Sequence, residues 1–119
     1  MQVLLVEDEI LIQKSLKMLM EKRGAKVTAV SSGKDAIEQI KRHDFDRIVC
    51  DLMLTDISGF DVIEESKHRY EKSDIAKKFI IITAYSSSQV IDKANGYGCK
   101  VLNKPFDNIN DVIETFLTV

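Results

Sequence analysis

The sequence predicts an α/β fold: a doubly wound, five-stranded parallel sheet in the order 2-1-3-4-5, with five helices on both faces. Three observations predict it. Short β-rich runs alternate with helical stripes along the whole chain. Two of those runs, RIVCD and KFIIIT, are apolar at successive positions rather than at every second one, which marks strands covered on both faces. Five β-α units joined by right-handed crossovers leave few topologies, and among the common doubly wound orders 2-1-3-4-5 is the one with five strands.

The strands are expected at Gln2–Val6, Lys26–Val30, Arg47–Asp51, Lys78–Thr83 and Lys100–Asn103. Between the first two, Ile12, Leu16, Leu19 and Met20 form one apolar stripe, and Gly24 after Lys22-Arg23 is a stop signal. Ala36, Ile37 and Ile40 mark a second helix, with Ser31 and Ser32 available to cap it. Phe60, Val62 and Ile63 belong to a third. Val90, Ile91 and Ala94 mark a short fourth, ended by Asn95-Gly96. Ile109, Val112, Ile113, Phe116 and Leu117 give the fifth, which runs almost to the C-terminus.

Composition narrows the function. A length of 119 residues suits a single domain over 1–119, and 45% hydrophobic with 30% charged residues describes a soluble globular protein. A net charge of -2 gives no electrostatic basis for direct nucleic-acid binding. Lys77 and Lys78 read as a solvated face. No apolar run is long enough to cross a bilayer and no export signal opens the chain, so no membrane association and a cytoplasmic location are expected. Cys50 and Cys99 stand far apart without histidines at ligand spacing, which argues against zinc; Cys50 reads as a core thiol. His43 and His68 read as surface residues.

The polar residues at the strand ends carry the chemistry. Ligands in such sheets bind beyond the carboxyl ends of the strands, at the point where the strand order reverses. The first strand runs directly into Glu7-Asp8 and the third ends in Asp51, so three carboxylates should meet there. The fourth ends in Thr83 before the small Ala84, and the fifth leads into Lys104 before Pro105. Crowded carboxylates repel one another and are costly to desolvate without a cation. An oxygen-rich set of this kind suits magnesium better than zinc or copper. Between a divalent cation and the ammonium of Lys104, Asp51 would stay ionised and could act as a nucleophile towards a phosphoryl group. Lys104 and the Thr83 hydroxyl would then stabilise the transferred group.

Four segments bear a family resemblance. LLVEDE, DLMLTDISG, IIITAY and NKPF, in this order and spacing, resemble the receiver domain of two-component response regulators over essentially the whole chain, in its single-domain, chemotaxis-type form. The resemblance implies the flavodoxin-like receiver fold. It also implies that Asp51 accepts a phosphoryl group from the phosphohistidine of a sensor histidine kinase or phosphotransfer protein. Glu7, Asp8, Asp51 and the Met53 carbonyl would bind magnesium, Lys104 would pair with the phosphoryl group, and Thr83 would swing towards it. A cis bond between Lys104 and Pro105 is implied in the same way, and Gly59 matches the family's glycine after the aspartate.

Val101 stands where the family usually has Tyr or Phe, the second half of the switch that Thr83 begins. Met53 and Tyr85 are expected to flank the phosphoryl site, beside Ala84, and to hinder attacking water. A Tyr85→Ala variant should then lose phosphate faster than the wild type. Output is expected through a protein target on the face made by the fourth helix, fifth strand and fifth helix. A stand-alone switch, a phosphorelay shuttle and a receiver cut from a hybrid kinase or longer regulator all fit, although Met1 directly before the first strand favours the first two. A magnesium-dependent phosphohydrolase would usually carry a second acid where Met53 stands. A flavin module would favour Gly, Ser and Thr, rather than acids, after the first strand. A receiver that had lost phosphorylation would not need all of Glu7, Asp8, Asp51, Thr83 and Lys104. The protein is therefore expected to be a switch rather than an enzyme.

Overall fold

A computed structural model describes residues 1–118. Its elements are β1 (Gln2–Val6), α1 (Ile10–Lys22), β2 (Lys26–Val30), α2 (Gly33–Arg42), β3 (Arg47–Asp51), α3 (Gly59–Ser66), α4 (Lys72–Lys78), β4 (Phe79–Thr83), α5 (Ser88–Tyr97), β5 (Lys100–Asn103) and α6 (Ile109–Leu117). The strands pair in parallel in the order β2-β1-β3-β4-β5, as the sequence predicts.

Successive strand residues divide between two cores, which is why the central runs are continuously apolar. Leu4, Val6, Ile48, Cys50 and Ile81 face α2, α3, α4 and α5, and pack with Ala36, Ile40, Phe60, Ile63, Ile75 and Ala94. Val3, Leu5, Val49, Ile80 and Ile82 face α1 and α6, and pack with Leu16, Met20, Ile113 and Phe116. Cys50 is a buried free thiol in the first core, and burial pushes its pKa above the ordinary thiol range. His43 and His68 are exposed.

Among the described residues the helices number six where five are expected, and the additional helix is α4. Its sequence KSDIAKK buries only Ile75, so it presents no apolar stripe from which a helix could be read. Because α4 ends at Lys78, β4 begins one residue later than expected, at Phe79. Lys78 is not a simple solvated lysine: its ammonium donates to the Phe45 carbonyl at 2.6 Å and lies 4.9 Å from the centre of the Tyr70 ring. Asn95-Gly96 does not end α5 either. The helix continues to Tyr97 and stops at Gly98, whose φ of 76° is a left-handed cap that favours glycine. Ser32 caps α2 as expected, accepting from the Asp35 amide at 3.1 Å. No helix among the described residues is long and apolar enough to cross a membrane.

Candidate functional site

Two adjacent parallel strands deliver the acidic residues to the same edge. β1 and β3 pair with Val6 opposite Cys50, so Glu7 and Asp51 emerge side by side. Glu7 is fully buried and Asp51 nearly so, while Asp8 is half-exposed. One carboxylate oxygen from each of Glu7, Asp8 and Asp51 can be chosen such that all lie within 4.8 Å of one another. This all-oxygen donor set fits a hard divalent cation such as magnesium.

Lys104 enters from the far side of the sheet. Its backbone amide donates to the Thr83 carbonyl at 2.8 Å, which extends the β4–β5 ladder by one step. The side chain then crosses to β1 and β3. Its ammonium donates to Glu7 Oε1 at 2.9 Å and to Asp51 Oδ2 at 3.1 Å, and lies 4.0 Å from Glu9 Oε1. The peptide between Lys104 and Pro105 is cis.

The electrostatics follow from this crowding. Burial pushes the Glu7 carboxyl up to about 7; Lys104 opposes the rise and neighbouring Asp51 adds to it. Burial pulls the Lys104 ammonium down, but its hydrogen bonds to Glu7 and Asp51 outweigh that and hold it above the ordinary lysine range. Glu7, Asp51 and Glu9 thus share one close ammonium.

The loop after β3 is shaped for close approach. The Met53 amide donates to Asp51 Oδ1 at 3.2 Å, and the Gly59 amide to the Leu52 carbonyl at 2.8 Å. A Cβ at Gly59 would lie 2.7 Å from the Asp51 carbonyl oxygen, so only glycine brings α3 this near the strand end. Asp8, Glu9, Asp51, Met53, Ala84, Tyr85 and Lys104 line an open crevice of about 310 Å³. A larger hollow of about 450 Å³ lies between α5 and β5, lined by Ile91, Cys99 and Val101 among others. It has no clustered acids, so the chemistry rather than the volume marks the site.

The remaining candidate residues divide. Met53 and Tyr85 are exposed at the rim, and Ala84 is exposed beside them. Thr83 is buried, and its hydroxyl is engaged within its own loop: it accepts from the Tyr85 amide at 2.9 Å and donates to the Tyr85 carbonyl at 3.3 Å. Val101 is half-buried away from the crevice, against the core beneath α5.

Two contributors are absent from the sequence reading. The Glu9 amide donates to Glu7 Oε2 at 3.2 Å, a contact hinted at only by the third acid of EDE. Asp56 accepts from the Gly33 and Lys34 amides, both at 2.9 Å. These bonds hold its carboxyl below the ordinary range despite some desolvation, and they pin the loop after β3 to the start of α2. Their partners are more than 20 residues apart, and no local signal announces them.

Comparison with known proteins gives one consistent result. The response regulator receiver domain matches residues 3–115. The transcriptional regulatory protein ZraR of Escherichia coli is 31% identical over 118 residues, covering 97% of this chain and 26% of ZraR. The aerobic respiration control sensor protein ArcB of the same organism is 31% identical over 105 residues, covering 88% of this chain and 13% of ArcB. The chain thus spans about a quarter or less of the length of these two relatives. Among solved structures, the non-phosphorylated receiver domain of HemR from Leptospira biflexa superposes with a TM-score of 0.86 at 26% identity, covering 99% of this chain and 94% of that one.

Proposed function

This chain belongs to the response regulator receiver domain family, and on that premise we propose that it is a single receiver domain over residues 1–119 in which Asp51 is the phosphoacceptor. The observation that carries the proposal is the meeting of Glu7, Asp8 and Asp51 within 4.8 Å, with Lys104 bonded to both Glu7 and Asp51. Receiver domains serve phosphoryl-accepting two-component signalling, and here the donor is a phosphohistidine on a sensor histidine kinase or histidine phosphotransfer protein. An Asp51 carboxylate oxygen attacks phosphorus, the P–N bond to the imidazole breaks, and the imidazole leaves with the electron pair. Lys104 is bonded to Asp51 beforehand and afterwards faces the phosphoryl oxygens.

Glu7, Asp8, Asp51 and the Met53 carbonyl would hold a magnesium ion. When bound, it would supply a second positive charge to the phosphoryl oxygens. Thr83 would have to release the Tyr85 backbone to reach the phosphoryl group, which makes it the switch residue. With Val101 in place of an aromatic, the Thr83 loop carries that change without a large partner on β5. Met53 and Tyr85 stand at the rim where they would obstruct attacking water. The protein acts in the cytoplasm as a switch rather than an enzyme, and signals to a protein target through the α5–β5–α6 face, without direct contact with nucleic acid or membrane.

Intact mass after incubation with a small acyl phosphate tests the proposal. One added phosphoryl group that requires magnesium and is lost in Asp51→Asn is the expected result. No gain under any condition would overturn it.

A further inference from the structure

The carbonyl of Glu7 is where β1 loses its partner. β2 ends at Val30, whose carbonyl accepts the Glu7 amide at 3.1 Å. Beyond that bond, the donor to the Glu7 carbonyl comes from a side chain in α1. Gln13 Nε2 lies 2.8 Å from the Glu7 carbonyl oxygen, 3.0 Å from the Val30 carbonyl oxygen and 3.3 Å from Ser31 Oγ. Gln13 is half-buried, and the apolar stripe of its helix is carried by Ile12, Leu16, Leu19 and Met20.

The carbonyl that Gln13 holds belongs to the peptide unit joining Glu7 to Asp8. The plane of that unit sets the directions in which the two carboxylates leave the chain: Glu7 inward onto Lys104, Asp8 to the open mouth. Gln13 also ties this unit to the last residue of β2, so the acidic turn is braced to the sheet as well as to the helix.

We propose that Gln13 is a positioning residue that sets the affinity of the acidic crevice for magnesium, by fixing the Glu7–Asp8 peptide before the cation arrives. The inference rests on the receiver reading of the same site. Gln13 itself touches neither the phosphoryl group nor the cation. Partners that orient metal ligands from behind change metal affinity about 10–100-fold when removed. The same order is expected here, because an unbraced turn must be ordered as the cation binds.

The test is calorimetric titration of the unphosphorylated protein with magnesium chloride, beside thermal unfolding and the magnesium dependence of phosphoryl uptake from an acyl phosphate. Gln13→Met, of similar length but without a donor, should bind magnesium at least about tenfold more weakly. The magnesium concentration for half-maximal uptake should rise by the same factor, while the rate at saturating magnesium stays near that of the wild type. Gln13→Leu, which also lacks the donor and adds no charge, carries the same expectation should the methionine variant fold poorly. Ser31→Ala, which removes only the longest contact, should leave the affinity unchanged. A lowered melting temperature with wild-type magnesium affinity in the Gln13 variants would overturn the inference, leaving phosphorylation of Asp51 intact. A wild-type chain that binds no magnesium would overturn this inference and the receiver reading together.

Discussion

The two ends of the sheet each bury a cation, and they treat it differently. At the carboxyl end, Lys104 meets the carboxylates of Glu7 and Asp51. At the amino end, Arg47, the first residue of β3, meets only backbone carbonyls among the described residues. Its Nε donates to Phe116 at 3.0 Å, one terminal nitrogen to Lys77 at 2.6 Å, and the other to Thr118. These carbonyls sit at the C-terminal ends of α4 and α6, where helix dipoles favour positive charge. Burial lowers the Arg47 pKa.

The contrast separates structure from function. Arg47 is matched to neutral dipoles that it satisfies. Lys104 is outnumbered by acids, a set of oxygen donors that a second cation would suit. One strand, β3, carries both arrangements, with Arg47 at its start and Asp51 at its end.

Removing Lys104 should break the contrast most. Lys104→Met leaves Glu7 and Asp51 facing each other, and stripping one partner from a buried pair costs about 3–5 kcal/mol. Urea unfolding at neutral pH should register that loss, and magnesium should recover part of it. Phosphoryl uptake at saturating magnesium should fall by about two orders of magnitude. Arg47→Met should come next, at about 3 kcal/mol for several orphaned carbonyls. Its mark is selectivity, because the folded variant should keep wild-type magnesium affinity and phosphoryl uptake. A changed magnesium affinity there would mean that the two ends are coupled through β3.

The pH dependence sharpens the comparison further. Glu7 rises on folding from an ordinary 4.5 to about 7, so between those values the native state binds more protons than the unfolded one. Stability without magnesium should therefore fall as pH rises from about 4.5 to about 7, by about 2 kcal/mol after allowance for screening. Glu7→Gln should flatten that slope in unfolding curves taken across the range. The smallest effect is expected of Asp56→Ala, which removes the acceptor of the Gly33 and Lys34 amides but leaves the Ser32 cap of α2, at a cost of about 1 kcal/mol in urea unfolding.

Much of this site is legible in the sequence because it is built from strand ends. Once RIVCD and KFIIIT are recognised as strands covered on both faces, the topology alone brings Glu7, Asp8, Asp51, Thr83 and Lys104 to one edge. No side-chain geometry is needed for that step. α4 is not legible, since a seven-residue helix with one buried side chain leaves no periodic trace. Lys78 is misjudged for a related reason: nothing local reveals that Phe45 and Tyr70 wait beside it.

The sequence by itself determined the sheet order and which residues meet at its carboxyl edge, because hydrophobic patterning and crossover handedness are properties of the chain. The tertiary structure decided what each polar group does there. It turned the Thr83 hydroxyl onto Tyr85, bonded Lys104 to Glu7 as well as to Asp51, set Asp56 on the start of α2, and gave Arg47 to the ends of two helices. Those pairings are chosen by distance and desolvation in the folded chain, between residues whose separation along the sequence carries no information about them.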